Sequence, residues 1–180
     1  MNTVARRYAK ALFSSAKDDQ ALEPTAQQLQ RIAKVVDDPE LGPVLRSPLL
    51  APTRRRELSQ SLARELQLAP LLTRFLALLA DQHRLGEVPM IADYFQRLLD
   101  DELGRARIAI RSATALGQQQ QDDIVAVFAR LTGRQILPTV GVDADLLGGV
   151  VVEVAGTVYD GSVRTQLDRL TKELTGNASL

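Results

Sequence analysis

The sequence predicts a mainly α protein, a six-helix N-terminal bundle at 1–104 followed by a small α/β domain at 105–180. Three observations carry this. Apolar residues recur at helical spacing between proline breaks through the first hundred or so residues. At Arg105–Ser112 the pattern switches to strict alternation, the period of a strand. The stretch Leu146–Leu174 then reads as strand, turn, strand, cap and helix with no spare residues.

The elements follow in order. Thr3–Lys17 is the first helix. Glu23-Pro24 starts a second, with Leu29, Ile32, Ala33 and Val36 inward, ended by Asp37-Asp38-Pro39. A short turn with Leu41, Val44 and Leu45 precedes Ser47-Pro48 and Ala51-Pro52, and Thr53 is placed as the cap of a fourth helix facing inward through Leu58, Leu62 and Leu66. Pro70 opens a fifth helix running to Asp81, and Pro89 a sixth with Ile91, Tyr94, Phe95, Leu98 and Leu99 inward. After the strand at 105–112, a helix at Gln118–Leu131 stops at Gly133. Gln135–Val142 reads as a weak strand, because Pro138 and Gly141 interrupt a ladder. Gly148-Gly149 then opens Val150–Val152 and Val154, a run expected to be buried on both faces. Ala155-Gly156 offers a tight turn into Thr157–Tyr159, and Ser162 stands as N-cap of a last helix. Val163, Leu167, Leu170 and Leu174 fall on one face of that helix, with Arg164, Asp168, Arg169 and Lys172 on the other.

Composition excludes several functions. The 22 basic and 22 acidic residues cancel, so no overall field attracts nucleic acid. Cysteine is absent, which removes disulfides and thiolate metal sites. No apolar run reaches the ~18 residues of a membrane-spanning helix. Met1–Lys17, with Arg6, Arg7, Lys10 and Lys17 and no acid, also fits a transit peptide or a membrane-surface helix.

Catalytic chemistry finds no constellation, and the expectation is a protein that is no enzyme, with no catalytic residue, no metal and no cofactor. His83, the single histidine, lies in a turn beside Asp81 and reads as a solvated loop residue. Asp122-Asp123 suits the first turn of a helix rather than an acid–base pair. Gly148-Gly149 lacks the Gly-Lys-Ser/Thr of a phosphate loop and reads as close backbone packing. Arg54-Arg55-Arg56 reads as a solvated helix face rather than a phosphate patch.

One feature points to binding. On a wheel at ~100° per residue, the apolar and small residues of Val4–Lys17 cover roughly 200°, twice the arc a bundle helix buries. Ala5, Ala9, Leu12, Phe13 and Ala16 form one half of that arc, and Val4, Tyr8, Ala11 and Ser15 the other. The fifth helix repeats the excess: Leu68, Leu72, Phe75 and Leu79 suit the core, Leu71 and Leu78 sit on one flank, and Leu76 on the other. Val4, Tyr8, Ala11 and Ser15 facing Leu71, Phe75 and Leu78 would make a groove for a partner's helix. Two central helices of a small bundle would give the same pattern.

Three motifs carry a family resemblance. They are Val4-Ala5-Arg6-Arg7-Tyr8-Ala9-Lys10-Ala11-Leu12-Phe13, then Leu131-Thr132-Gly133-Arg134, and finally Leu147-Gly148-Gly149-Val150-Val151 with Val158, Asp160-Gly161-Ser162-Val163-Arg164, Leu167 and Arg169-Leu170. In order and spacing the whole chain resembles the delta subunits of F-type ATP synthases, the oligomycin sensitivity-conferring protein family. Gly117, where that family commonly has a Ser or Thr cap, and the Pro138/Gly141 strand depart from its pattern. The resemblance favours the groove and implies a stator component. Its bundle would hold the N-terminal helix of an alpha subunit, and its second domain would meet the b subunits of the peripheral stalk. Gly148, Gly149, Asp160, Gly161, Ser162 and Arg164 would be structural signature residues. The match begins at Val4, which leaves no room for a presequence and implies a bacterial protein, peripheral on the cytoplasmic face of the plasma membrane. An unrelated helical adaptor capturing an amphipathic segment is the alternative; nucleic-acid binding through Arg6, Arg7 and Arg54–Arg56 is disfavoured by the charge balance.

Overall fold

Proline and left-handed caps punctuate the first half of the chain. The structure, a computed structural model, describes residues 3–47, 49–154 and 156–167. The chain divides into two compact units, Met1–Leu99 and Asp100–Leu180. The first is built from α1 (Thr3–Asp18), α2 (Leu22–Val36), α3 (Leu41–Arg46), α4 (Pro52–Glu65), α5 (Pro70–Asp81) and α6 (Val88–Glu102), with a 3-10 turn at Leu85–Glu87 before α6. The unit boundary falls within the last turn of α6, a turn earlier than the change of period at Arg105. Within the second unit, Arg107 donates from Nε to Asp100 at 2.6 Å, and Arg134 from Nη1 to Asp101 at 2.6 Å.

Pro52 and Pro70 occupy the first turns of α4 and α5, where a missing N–H costs nothing. Ala51, not Thr53, is therefore the N-cap of α4, and Thr53 lies inside the helix. Three helices end on a non-glycine residue in the left-handed region: Gln20 (φ 52°) after α1, Gln67 (φ 50°) after α4 and His83 (φ 57°) after α5. In each case the next amide reaches back five residues, as Ala21 to Ala16, Leu68 to Ala63 and Arg84 to Leu79 at 2.8–2.9 Å. His83 is thus a helix terminator.

The first core gathers Ala5, Ala9, Leu12 and Ala16 of α1 with Leu29, Ile32 and Val36 of α2, Leu72, Leu76 and Leu79 of α5, and Ile91, Phe95 and Leu99 of α6. Phe13 packs edge-on against Phe95 at 5.4 Å. Three expectations are corrected here. Leu76 is fully buried, so α5 has spare apolar surface on one flank only. On α4 the buried positions are Arg55, Ser59 and Ala63, while Leu58, Leu62 and Leu66 are half-buried. Arg55 donates from Nη1 to Ala80 O (3.1 Å) and from Nη2 to Leu50 O (2.5 Å), placing its cation at the carbonyl end of α5. Arg56 pairs with Asp81 at 2.5 Å and Arg54 with Glu57 at 2.9 Å. The arginine triplet is therefore not a uniform solvated face.

In the second unit, β1 (Arg105–Ser112), β2 (Gln135–Val142), β3 (Val150–Val154) and β4 (Thr157–Asp160) form a sheet of order β2-β1-β3-β4, and α7 (Gln118–Thr132) connects β1 to β2. β2 runs parallel to β1, as a crossover through α7 requires, and β3 and β4 are antiparallel additions. Alternation in β1 buries Ile108, Ile110 and Ser112, and α7 sets Phe128 on that core with Ile136, Val152 and Val154. Gly133 ends α7 at φ 66°. The capping role at Gly117 falls to its backbone N–H, which donates to Gln120 Oε1 at 2.9 Å. Pro138 does not interrupt β2: the strand is continuous and lies at the sheet edge, paired on one side only, so the missing donor breaks no ladder. Double-faced burial in β3 is confined to Val151 and Val152, since Glu153 is exposed. Ala155, Leu170 and Leu174, with Asp168, Arg169 and Lys172, lie outside the described residues.

Candidate functional site

A channel of about 460 Å³ runs between α1 and α5. Its lining contains Tyr8, Ala11 and Ser15 from α1, spaced at helical intervals, with Leu71, Phe75 and Leu78 from α5. Six of the seven residues named from the helical wheels therefore meet across one concave surface. Val4 does not line it. Tyr8 meets Phe75 edge-on at 6.3 Å and, with Arg7, forms that end of the channel, leaving Val4 a helical turn beyond. Phe75 is a floor residue, shared with the core, whereas Leu78 stands 47% exposed on the rim. Ala11 and Ser15 are exposed and small, and the Ser15 hydroxyl donates to Ala11 O (3.3 Å), so the α1 wall presents little polar demand.

Wheel reasoning missed Arg7, Leu12 and Arg74. Leu12 belongs to the core half of α1 and contributes its edge to the floor. Arg7 and Arg74 flank the apolar strip as cations, and the Arg7 guanidinium lies 5.8 Å from the Tyr8 ring centre. Their charges were visible in the sequence; their position on the channel was not. An apolar floor with small walls and cationic edges suits an amphipathic helix laid along it.

The signature at the other end of the chain has a different geometry. Gly149 adopts φ 82°, and a β-carbon there would collide with the backbone of Gly161 and Ser162. A β-carbon on Gly148 would press on Val163 at 3.0 Å. Asp160 accepts from the Ser162 N–H (2.8 Å) and the Thr165 hydroxyl (2.8 Å), and the Ser162 hydroxyl accepts from the Thr165 N–H (3.3 Å), capping the helix at 163–167. Ser162 is buried, while Arg164, Val163 and Leu167 are exposed. These residues lock a corner.

Among the described residues, no group of three or more His, Cys, Asp or Glu could hold a metal ion. Asp81 is held below the usual carboxylate range by the hydrogen bond from Arg56, and Asp38 by the N–H groups of Leu41 and Glu40. Both perturbations come from structural contacts. No described helix is long and apolar enough to cross a membrane.

The family described as ATP synthase delta (OSCP) subunit matches residues 4–174. The chain belongs to this family. It is similar to the ATP synthase subunit delta of Anaeromyxobacter sp. (strain Fw109-5), 40% identical over 175 residues, covering 97% of this chain and 98% of that one. The subunit delta of Syntrophus aciditrophicus (strain SB) is 34% identical over 176 residues, covering 97% of each. Among solved structures, a chain of the cryo-electron-microscopy structure of the Toxoplasma gondii mitochondrial ATP synthase hexamer superposes with a TM-score of 0.73 at 28% identity, covering 97% of this chain and 98% of that one. Membership of the delta/OSCP family makes the chain a subunit of ATP synthase and a component of its peripheral stalk.

Proposed function

We propose that this delta/OSCP subunit is a passive connector of the stator, tying the catalytic head of ATP synthase to the b subunits of the peripheral stalk against rotor torque. The first unit holds the N-terminal helix of an alpha subunit in the α1–α5 channel, and the second unit meets the b subunits. The chain carries out no catalysis and takes no cofactor. It sits at the cytoplasmic face of a bacterial plasma membrane through the complex alone.

The observation that carries this reading is the channel itself. A soluble bundle gains nothing from leaving Leu78 exposed beside Leu71, Tyr8 and two small residues, unless a second apolar surface covers them. A connector under load must dissociate slowly, and nanomolar affinity corresponds to ~12 kcal/mol. Burial of a helix's apolar face at ~25 cal/mol per Å² supplies much of that, less the cost of ordering the peptide.

Titration of the full chain with a synthetic peptide of the alpha subunit's N-terminus tests the reading. Saturable binding that Ala11→Asp weakens about a hundredfold, with the helical content unchanged, is the expected result. Normal binding by Ala11→Asp would place the alpha helix elsewhere.

A further inference from the structure

α1 carries a second lined flank. Arg6 and Lys10 stand about 160–200° around the helix from Tyr8 at ~100° per residue, away from the channel. With Tyr94, Arg97 and Leu98 of α6 they line a recess of about 230 Å³. Among the described residues none of these three cations forms an ion pair. Arg97 lies over the Tyr94 ring, 5.7 Å from its centre, which restrains the guanidinium at the recess wall. Asp93, one turn before Arg97 on α6, lines an adjoining recess with Met90, Tyr94 and Arg97 but forms no ion pair with Arg97.

Three cations around one concavity repel one another until an anion enters. Leu98 and the Tyr94 ring make part of that concavity apolar, so the complementary ligand carries its negative charge on a nonpolar frame. Arg6 and Lys10 are four positions apart on one helix, which spaces them ~6 Å along its surface. Two carboxylates one helical turn apart match that spacing.

We propose that Arg6, Lys10 and Arg97 form a docking pocket for an acidic segment of a protein partner, two of its carboxylates meeting the cations and an apolar side chain between them resting on Leu98 and Tyr94. A membrane is the poorer occupant. The chain is charge-balanced, with 22 basic and 22 acidic residues, and these cations line a recess rather than the open polybasic cluster that anionic lipid surfaces attract. The pocket lies on the flank of α1 away from the channel and does not depend on what fills the channel.

The test is an NMR titration of the isotope-labelled full chain with a short helix-forming peptide bearing two glutamates four positions apart around a leucine, and with its glutamine twin. The expected result is saturable shifts confined to the surroundings of Arg6, Lys10, Tyr94 and Arg97, lost with the twin, and weakened about tenfold by Lys10→Glu or Arg97→Glu. Because Lys10 and Arg97 are exposed, these variants keep the fold; Lys10→Gln and Arg97→Gln repeat the test without added repulsion and should weaken binding severalfold. Alpha-peptide binding in the channel, measured on the same samples, separates failure of this pocket from failure of the channel reading. Equal binding of the twin, shifts spread over all basic residues, or undiminished binding by the variants overturns the proposal. So does saturation of the same residues by inorganic phosphate at the peptide's concentration, which would make this a bare oxyanion site. Capture by phosphatidylglycerol vesicles that depends on Lys10 and Arg97 would reassign the pocket to a membrane.

Discussion

The α1–α5 channel and the corner at Gly148–Thr165 use their residues in opposite ways. In the channel, Tyr8, Ala11, Leu71 and Leu78 present apolar surface that nothing in the described chain covers. In the corner, Asp160, Ser162 and Thr165 satisfy one another, and Gly149 is there because no side chain fits beside Gly161. The difference teaches where to look for a partner. A dense internal network accounts for its own residues, however recognisable they are, whereas an uncovered apolar strip is accounted for only by something outside. The hydrogen-bonded corner of the signature is therefore accounted for within the chain, while Val163 and Leu167 beside it stay exposed; the weaker-looking N-terminal helix holds the candidate site.

Breaking each region should give a different kind of damage. The largest effect is expected at Ala9, fully buried on the core half of α1: Ala9→Asp places an unpaired carboxylate in the core and should cost about 4 kcal/mol or more, seen as loss of helical signal in urea unfolding. Gly149→Ala should cost about 3 kcal/mol through its left-handed backbone and its collision with Gly161 and Ser162. Thermal unfolding would register that loss while alpha-peptide affinity stays at the wild-type value; a fall in both would mean that corner and channel are not separable. Ala11→Asp, on the channel half of α1, should do the reverse, costing roughly 3 kcal/mol of peptide affinity and less than about 0.5 kcal/mol of stability. Calorimetric titration beside circular dichroism measures both sides.

Two smaller tests sharpen the contrast by changing stability without touching either region. His83→Gly relieves a non-glycine φ of 57° and should stabilise the bundle by about 0.5–1 kcal/mol in equilibrium unfolding, the gain reduced by the freer unfolded chain. Acidification gives the smallest effect. The carboxyls of Asp38 and Asp81 are depressed in the folded state, so their stabilisation is complete above the ordinary carboxylate range near ~4 and is lost as pH falls through their lowered values. A pH series of unfolding midpoints should therefore decline only below that range, and Asp81→Asn should flatten the decline.

Much of this was legible in the residues because its causes are local. Proline at the start of α5, the alternation of Arg105–Ser112, the Gly133 stop and the Ser162 cap each follow from a residue's own backbone preference or from neighbours within one turn. The excess apolar arc of α1 followed from periodicity, but that arc suited a central bundle helix equally well; that Tyr8, Ala11, Ser15, Leu71, Phe75 and Leu78 line one channel is seen only in the structure. Tertiary structure alone decided the rest. Whether Leu76 was spare surface or core depended on which helices packed against α5, and Val4 missed the channel because Tyr8 and Arg7 end it. Arg55 became buried because the carbonyl end of α5 came within reach of its guanidinium, and Pro138 was tolerated because β2 took the edge of the sheet. Periodicity fixes which face of an element is apolar, but the neighbour that meets that face, or leaves it open, is set by contacts between residues far apart in the chain.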